Sequence, residues 1–196
     1  PGFLAVGPAS QRSGEGVFVA GISVTAPDAP PRYRFLSALV STLHSASIAP
    51  PFYRETEALI PGAALAFPAI WGLGPKDFAD EFAPSFEVDE FERFGDSAPP
   101  GAVASAVHIA RARGDSPSGY DLFHDQALVV LPRPVTGRWV RYGALVTQEE
   151  VRTYADGRPI GTFQVPPGVR PQRMHSILNL SLGLPSRPYP ADWQGT

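Results

Sequence analysis

The sequence predicts an all-β sandwich or jelly roll, and three observations support that prediction. The 196 residues include 23 Pro and 19 Gly, together 42, a share nearly twice the usual one. So many breakers cut the chain into short segments, which suit strands and turns better than long helices. About ten of those segments are strand-like, with turn signals between them. No long stretch repeats its apolar residues at helical spacing. With 43% apolar residues the chain is globular and long enough to bury one core, so a single domain over residues 1–196 is expected.

The elements follow in order. Residues 1–31, rich in Gly, Ala, Ser and Pro, hold one strand-like run, Gly16 to Val24, read as an edge strand with loops. Arg34 to Ser45 reads as a strand in which Phe35, Leu39 and Leu43 alternate imperfectly with small or polar residues. Phe52 to Ile60 is stopped by Pro61-Gly62. Ala66 to Leu73 precedes a polar loop with Lys76, Asp77 and Asp80. Ser85 to Phe94 ends at Gly95-Asp96, and Val103 to Ala112, Gln126 to Leu131 and Arg138 to Val146 follow. Gln148 to Arg152 is compatible with one turn of helix. Val151 to Ala155, Asp156-Gly157 and Pro159 to Gln164 form the strongest short hairpin signal, because Asp-Gly fits the tight turns that match strand twist. Ser176 to Leu182 is the last clear strand.

A formal charge of -3 and no clustered Lys or Arg argue against nucleic acid as a partner. Cysteine is absent, so the fold needs no disulfide. The most apolar stretch, Gly62 to Gly74, is too short to span a membrane. Without an initiator Met, the chain reads as a processed or excised fragment.

The informative segment is Phe86 to Phe94, where Glu87, Asp89, Glu90 and Glu92 place four carboxylates in six residues. Strand side chains alternate, so Glu87 and Asp89 share a face while Glu92 falls on the other. One extra residue, a β-bulge, reverses the parity and returns Glu92 to the face of Glu87 and Asp89. Like charges on one face destabilise a sheet and raise at least one pKa. That arrangement is useful for glycoside hydrolysis, in which one ionised carboxylate attacks and one protonated carboxyl donates. In retaining enzymes the two stand roughly 5–5.5 Å apart. The bland alternative is a solvated acidic strand or a Ca²⁺ site.

The segment and its flanks resemble glycoside hydrolase family 16, the laminarinase and agarase group. The signature Glu-x-Asp-x-x-Glu is met by Glu87, Asp89 and Glu92. Before it, Phe67-Pro68-Ala69-Ile70-Trp71 is similar to the family's Trp-Pro-Ala-Phe-Trp strand. Further upstream come a stretch ending in Pro61-Gly62 and a Ser-rich strand, Ser37 to Ser41. After it, Val107-His108, Trp139 to Thr147, Tyr154-Ala155-Asp156-Gly157 and Leu178 to Gly183 resemble later family strands in the same order. The resemblance spans residues 35–183. It implies a concanavalin A-like jelly-roll β-sandwich of two curved antiparallel sheets with an open cleft for a polymer.

By that resemblance Glu87 is the nucleophile, Glu92 the general acid/base and Asp89 their neighbour, which hydrogen-bonds the nucleophile and helps keep Glu92 protonated. No cofactor is needed. Two departures stand out. Phe67 replaces the first Trp of the Trp-Pro-Ala strand, keeping a ring but losing the indole donor. The family's last strand, a common contributor to a structural calcium site, has no counterpart before Thr196, so calcium is only weakly expected. Either the chain is cut short or it closes its sheet differently.

Other residues keep two readings. Trp71 is a sugar-stacking ring or a core Trp, and Phe67 is more readily core. His108 is a partner of the acid/base or sugar, or a satisfied structural His. Asn179 supports the cleft or caps a strand end. Trp193 rims the cleft or sits in a Pro-rich tail. Trp139 and Tyr142 are expected in the core, Glu90 and Arg93 facing solvent, and Glu55 and Glu57 on a solvated edge.

The expected activity is that of a retaining endo-β-glycanase acting on a polysaccharide, with β-1,3-glucan favoured, as a monomer outside the cell or in the periplasm. The alternatives are a transglycosylase or exopolysaccharide depolymerase on the same site, a non-catalytic carbohydrate-binding module, and a calcium-binding structural sandwich.

Overall fold

The computed structural model describes residues 10–13, 16–19, 22–23, 35–36, 38–43, 45–62, 66–74, 85–93, 95, 99–112 and 120–182. Its strands are β1 (Ser10–Ser13), β2 (Gly16–Val19), β3 (Ile22–Ser23), β4 (Phe35–Leu36), β5 (Ala38–Ser41), β6 (Phe52–Leu59) and β7 (Ala66–Leu73). They continue with β8 (Ser85–Glu92), β9 (Ala102–Ala112), β10 (Tyr120–Val130), β11 (Trp139–Val146), β12 (Glu150–Ala155), β13 (Arg158–Gln164) and β14 (His175–Leu182). No α-helix occurs among the described residues.

Two antiparallel sheets carry the architecture. The larger has the order β10-β9-β8-β7-β14-β5, and the smaller β13-β12-β11-β6. Two short pairs, β1-β2 and β3-β4, accompany them. The sheets face each other through alternating apolar residues, the solution open to half-buried strands. On β11, Val140, Tyr142, Ala144 and Val146 are fully buried between the sheets. On β8, Phe86, Val88 and Phe91 point the same way, and on β9 Val103, Val107 and Ile109 answer them.

The hairpin of β12 and β13 turns at Asp156 and Gly157, both with positive φ (48° and 73°). Those angles suit a tight hairpin turn, which Asp and Gly tolerate best. Asp156 is also braced, its carboxylate accepting from Arg138 Nη1 at 2.9 Å and from the Arg141 N–H at 3.1 Å. These bonds hold its carboxyl below the ordinary range.

Several sequence expectations are corrected. Of Gly16 to Val24, the described residues form β2 and β3, which pair with β1 and β4; of Arg34 to Ser45, they form β4 and β5, which pair with β3 and β14. The strand expected to begin at Gln126 begins at Tyr120. Residues 148–149 form a bend, not a helical turn, and β12 starts at Glu150. Trp139 is 62% exposed, because it shares the outward parity of Arg141 while Val140 and Tyr142 take the core side.

Candidate active site

The site lies on the face of the six-stranded sheet turned away from the smaller sheet, and β8 is its centre. Opposite β9, Asp89 aligns with Ala106 and Glu92 with Ala104, so three steps on β8 match two on β9. Opposite β7, Trp71 aligns with Asp89 and Ile70 with Phe91. Glu90 is therefore the extra residue, and the bulge lies where parity required it. Glu87, Asp89 and Glu92 share the outer face, while Phe86, Val88 and Phe91 fill the core.

Neighbouring strands supply the rest. Strand β9 sets His108 opposite Glu87, and its Nε2 stands 3.2 Å from Asp89 Oδ2. Strand β10 sets His124 opposite His108, with the two Nδ1 atoms 2.9 Å apart. Of two facing ring nitrogens one must carry the proton, so the pair fixes complementary tautomers. Strand β7 sets Trp71 opposite Asp89, and its indole N–H donates to Asn179 Oδ1 on β14 at 2.7 Å. The Asn179 amide in turn donates to Ser181 Oγ at 3.1 Å. Phe67 lies on the same face of β7, opposite Ser181. Ala69, Ala104 and Ala106 are the small residues flanking Glu92 and Asp89.

The structure thus brings together Glu87, Asp89, Glu92, Trp71, His108 and Asn179, with Phe67 farther along the same face. Trp193 lies outside the described residues. Glu55 and Glu57 are exposed on the other sheet, where Glu55 accepts from the Tyr53 hydroxyl at 2.6 Å.

Two expectations fail beside the site. Glu90 was expected to face solvent, yet it is 1% exposed and points between the sheets, where Arg54 of β6 donates to it. Arg93 is also buried and donates to the Gly95 carbonyl at 2.8 Å. A bulge turns both of its residues to one side, so Glu90 follows Phe91 inward. His124 and Arg54 were missed. His124 could have been found by extending β10 back from Gln126. Arg54 carries no local signal, since its partner is 36 residues away on the opposite sheet.

Electrostatically the three outer carboxyls are crowded. Burial, then the charge of Asp89, pushes Glu87 up to about 7 against the pull of His108. Burial, then Glu90, pushes Asp89 up to about 7, with Arg54 opposing. Burial, then Asp89, pushes Glu92 up to about 8; Glu87 adds to this and His108 opposes it. Such a set cannot be fully ionised at neutral pH, so the three carboxyls share protons there. Glu87, Asp89 and His108 each bring one ligand atom within 4.8 Å of the others. A hard cation such as Ca²⁺ seeks six or more oxygens, whereas this group offers two carboxylates and one imidazole.

No protein-family model and no curated protein matches the sequence. Solved structures do. Porphyranase B from Zobellia galactanivorans superposes with a TM-score of 0.69 at 17% identity, over 89% of this chain and 66% of that one. The laminarinase catalytic domain from Thermotoga maritima gives 0.63 at 18% identity, over 95% and 68%. A glycoside hydrolase family 16 endo-glucanase from Bacteroides ovatus gives 0.63 at 17% identity, over 76% and 62%. The chain spans about three fifths of that endo-glucanase. At these identities the likeness shows the fold: this chain has the jelly-roll β-sandwich of the family 16 enzymes.

Proposed function

We propose that this chain is a retaining glycoside hydrolase of family 16 type that cuts a β-linked polysaccharide internally. One observation carries the proposal: a bulge at Glu90 sets Glu87, Asp89 and Glu92 on one face of one strand, where burial and repulsion from neighbouring carboxylates raise all three carboxyls. Double displacement needs one carboxylate to attack and one carboxyl to donate. A crowded cluster that is only partly ionised at neutral pH can supply both forms, and the likeness of the signature to the family assigns attack to Glu87 and donation to Glu92.

In the first step Glu87 attacks the anomeric carbon, Glu92 gives its proton to the leaving oxygen, and a glycosyl ester forms on Glu87. Glu92, now ionised, takes a proton from water as the water attacks the anomeric carbon and frees Glu87. Asp89 stands between them on the strand, and its charge helps keep Glu92 protonated until Glu87 is esterified. No cofactor takes part. Trp71, held by Asn179, offers a ring for the apolar face of a sugar, with Phe67 farther along. The favoured substrate is a β-1,3-glucan, a choice supported by the laminarinase likeness. A polymer of that size implies action outside the cell.

The test is reducing-sugar release from a panel of β-glucans and galactans, wild type beside Glu87→Ser. Release from one polymer that disappears in the variant is expected. No release from any polymer, with the fold intact and glycan still bound, would replace this reading with that of a carbohydrate-binding module.

A further inference from the structure

The core between the two sheets is divided. One apolar cluster holds Phe52, Phe86, Val88, Val107, Val151 and Met174, and the other Ile60, Ile70, Phe91, Val103, Tyr142 and Ala155. On four strands a polar residue separates the two. Arg54 follows Phe52 on β6, Thr153 lies between Val151 and Ala155 on β12, Glu90 between Val88 and Phe91 on β8, and Ser105 between Val103 and Val107 on β9. Arg54 and Thr153 both align with Ala144, so they rise from one row of the smaller sheet.

These groups form two struts that reach the bulge from behind. Arg54 Nε donates to Glu90 Oε1, while Nη1 reaches Ser176 Oγ at 3.3 Å and the His175 carbonyl at 3.4 Å. A Cβ at Gly72 would collide with the guanidinium, so glycine keeps its space open. The Ser105 hydroxyl donates to the Asp89 carbonyl at 2.8 Å. Its one proton is thereby used, which makes Thr153 Oγ1 the donor in the 2.7 Å contact between the two hydroxyls.

Stability alone does not account for the first strut. Burying two charges is costly, and an apolar pair of similar volume is commonly neutral or better. Among the described residues, Arg54 Nη2 and Glu90 Oε2 also have no hydrogen-bond partner, and a partly satisfied buried network is worse than an apolar core. What the struts do touch is the backbone and side chain of the residues that make the bulge. The bulge alone decides whether Glu92 faces Glu87 and Asp89 or the opposite side.

We infer that Arg54 and Glu90, helped by Thr153 and Ser105, are positioning residues that hold the bulge and so set Glu92 against Glu87. The inference rests on the hydrolase reading for its kinetic consequence and on geometry for its structural one.

The test is the full chain carrying Arg54→Met with Glu90→Leu, which removes both charges together and leaves neither buried alone. Thermal unfolding, hydrogen exchange at the amides of residues 89–92, and kcat and KM on the polymer that the wild type cleaves are measured. The expected result is a melting temperature equal to or above that of the wild type, faster exchange at the bulge, kcat lower by about a hundredfold, and KM nearly unchanged. A displacement of about 1 Å in a reacting group has that order of effect. Wild-type kcat, or bulge amides as protected as in the wild type, would overturn the inference, as would a fall in melting temperature with kcat intact. Should the double variant fail to fold, Glu90→Gln, nearly isosteric but uncharged, is put through the same measurements. If the wild type cleaves nothing, the hydrolase reading fails by itself, and exchange at residues 89–92 still decides whether the struts hold the bulge.

Discussion

Replacing Glu92 by Gln removes one ionisable group and almost no volume. In the folded chain, burial first and Asp89 second raise its carboxyl from 4.5 to about 8. Because the folded value lies above the unfolded one, the native state holds this proton more tightly. The carboxyl therefore costs no stability below about pH 4.5, costs progressively more as pH rises, and costs the full amount above about pH 8. At about 1.36 kcal/mol per pH unit the ceiling is roughly 5 kcal/mol. Glu92 keeps some contact with solvent and titrates together with Asp89, which reduces the expected gain to ~2 kcal/mol. For a chain of this size that is about 4–8 °C in melting temperature. Circular dichroism melts at pH 5 and pH 9 give the comparison: the variant should match the wild type at pH 5, exceed it at pH 9, and have lost hydrolysis. An equal difference at both pH values, or a variant that melts lower at pH 9, would refute the account of the crowded carboxyls.

Two further outcomes are expected. Asn179→Ala takes away the acceptor of the Trp71 indole N–H. A lost hydrogen bond of about 1 kcal/mol predicts a KM about fivefold higher with kcat little changed; kcat falling as far as KM rises would count against a binding role for this ring. Dialysis against a chelator should leave both melting temperature and glycan release unchanged. A drop of several degrees, restored by calcium, would favour a cation on Glu87 and Asp89 instead.

Much of the sheet was legible because its strands obey a simple parity. Phe86, Val88 and Phe91 fill the core side of β8, and only an inserted residue reconciles them with Glu87, Asp89 and Glu92 on the other. Asp156-Gly157 marks its hairpin through backbone chemistry that few other residue pairs share. The bulk of Trp139 argues for the core, yet Val140, Tyr142, Ala144 and Val146 declare the opposite side of β11 to be the buried one. Glu90 departs from expectation for a different reason. A carboxylate is assigned to solvent unless a partner is known, and Arg54 is brought to it only by the stacking of the two sheets. Contacts within one strand or hairpin can be read from spacing. Contacts across the sandwich depend on register in two sheets at once, and a sequence does not carry that register locally.

The divided core also bears on how the molecule comes apart. A continuous apolar core tends to be lost in one step, whereas two apolar bodies separated by charged and hydroxyl groups need not open together. Water entering the polar row would meet groups able to hydrogen-bond with it. The end of the sandwich around Phe86 and Met174 and the end around Phe91 and Tyr142 thus have the makings of separate cooperative units, with the proposed catalytic strand passing through both.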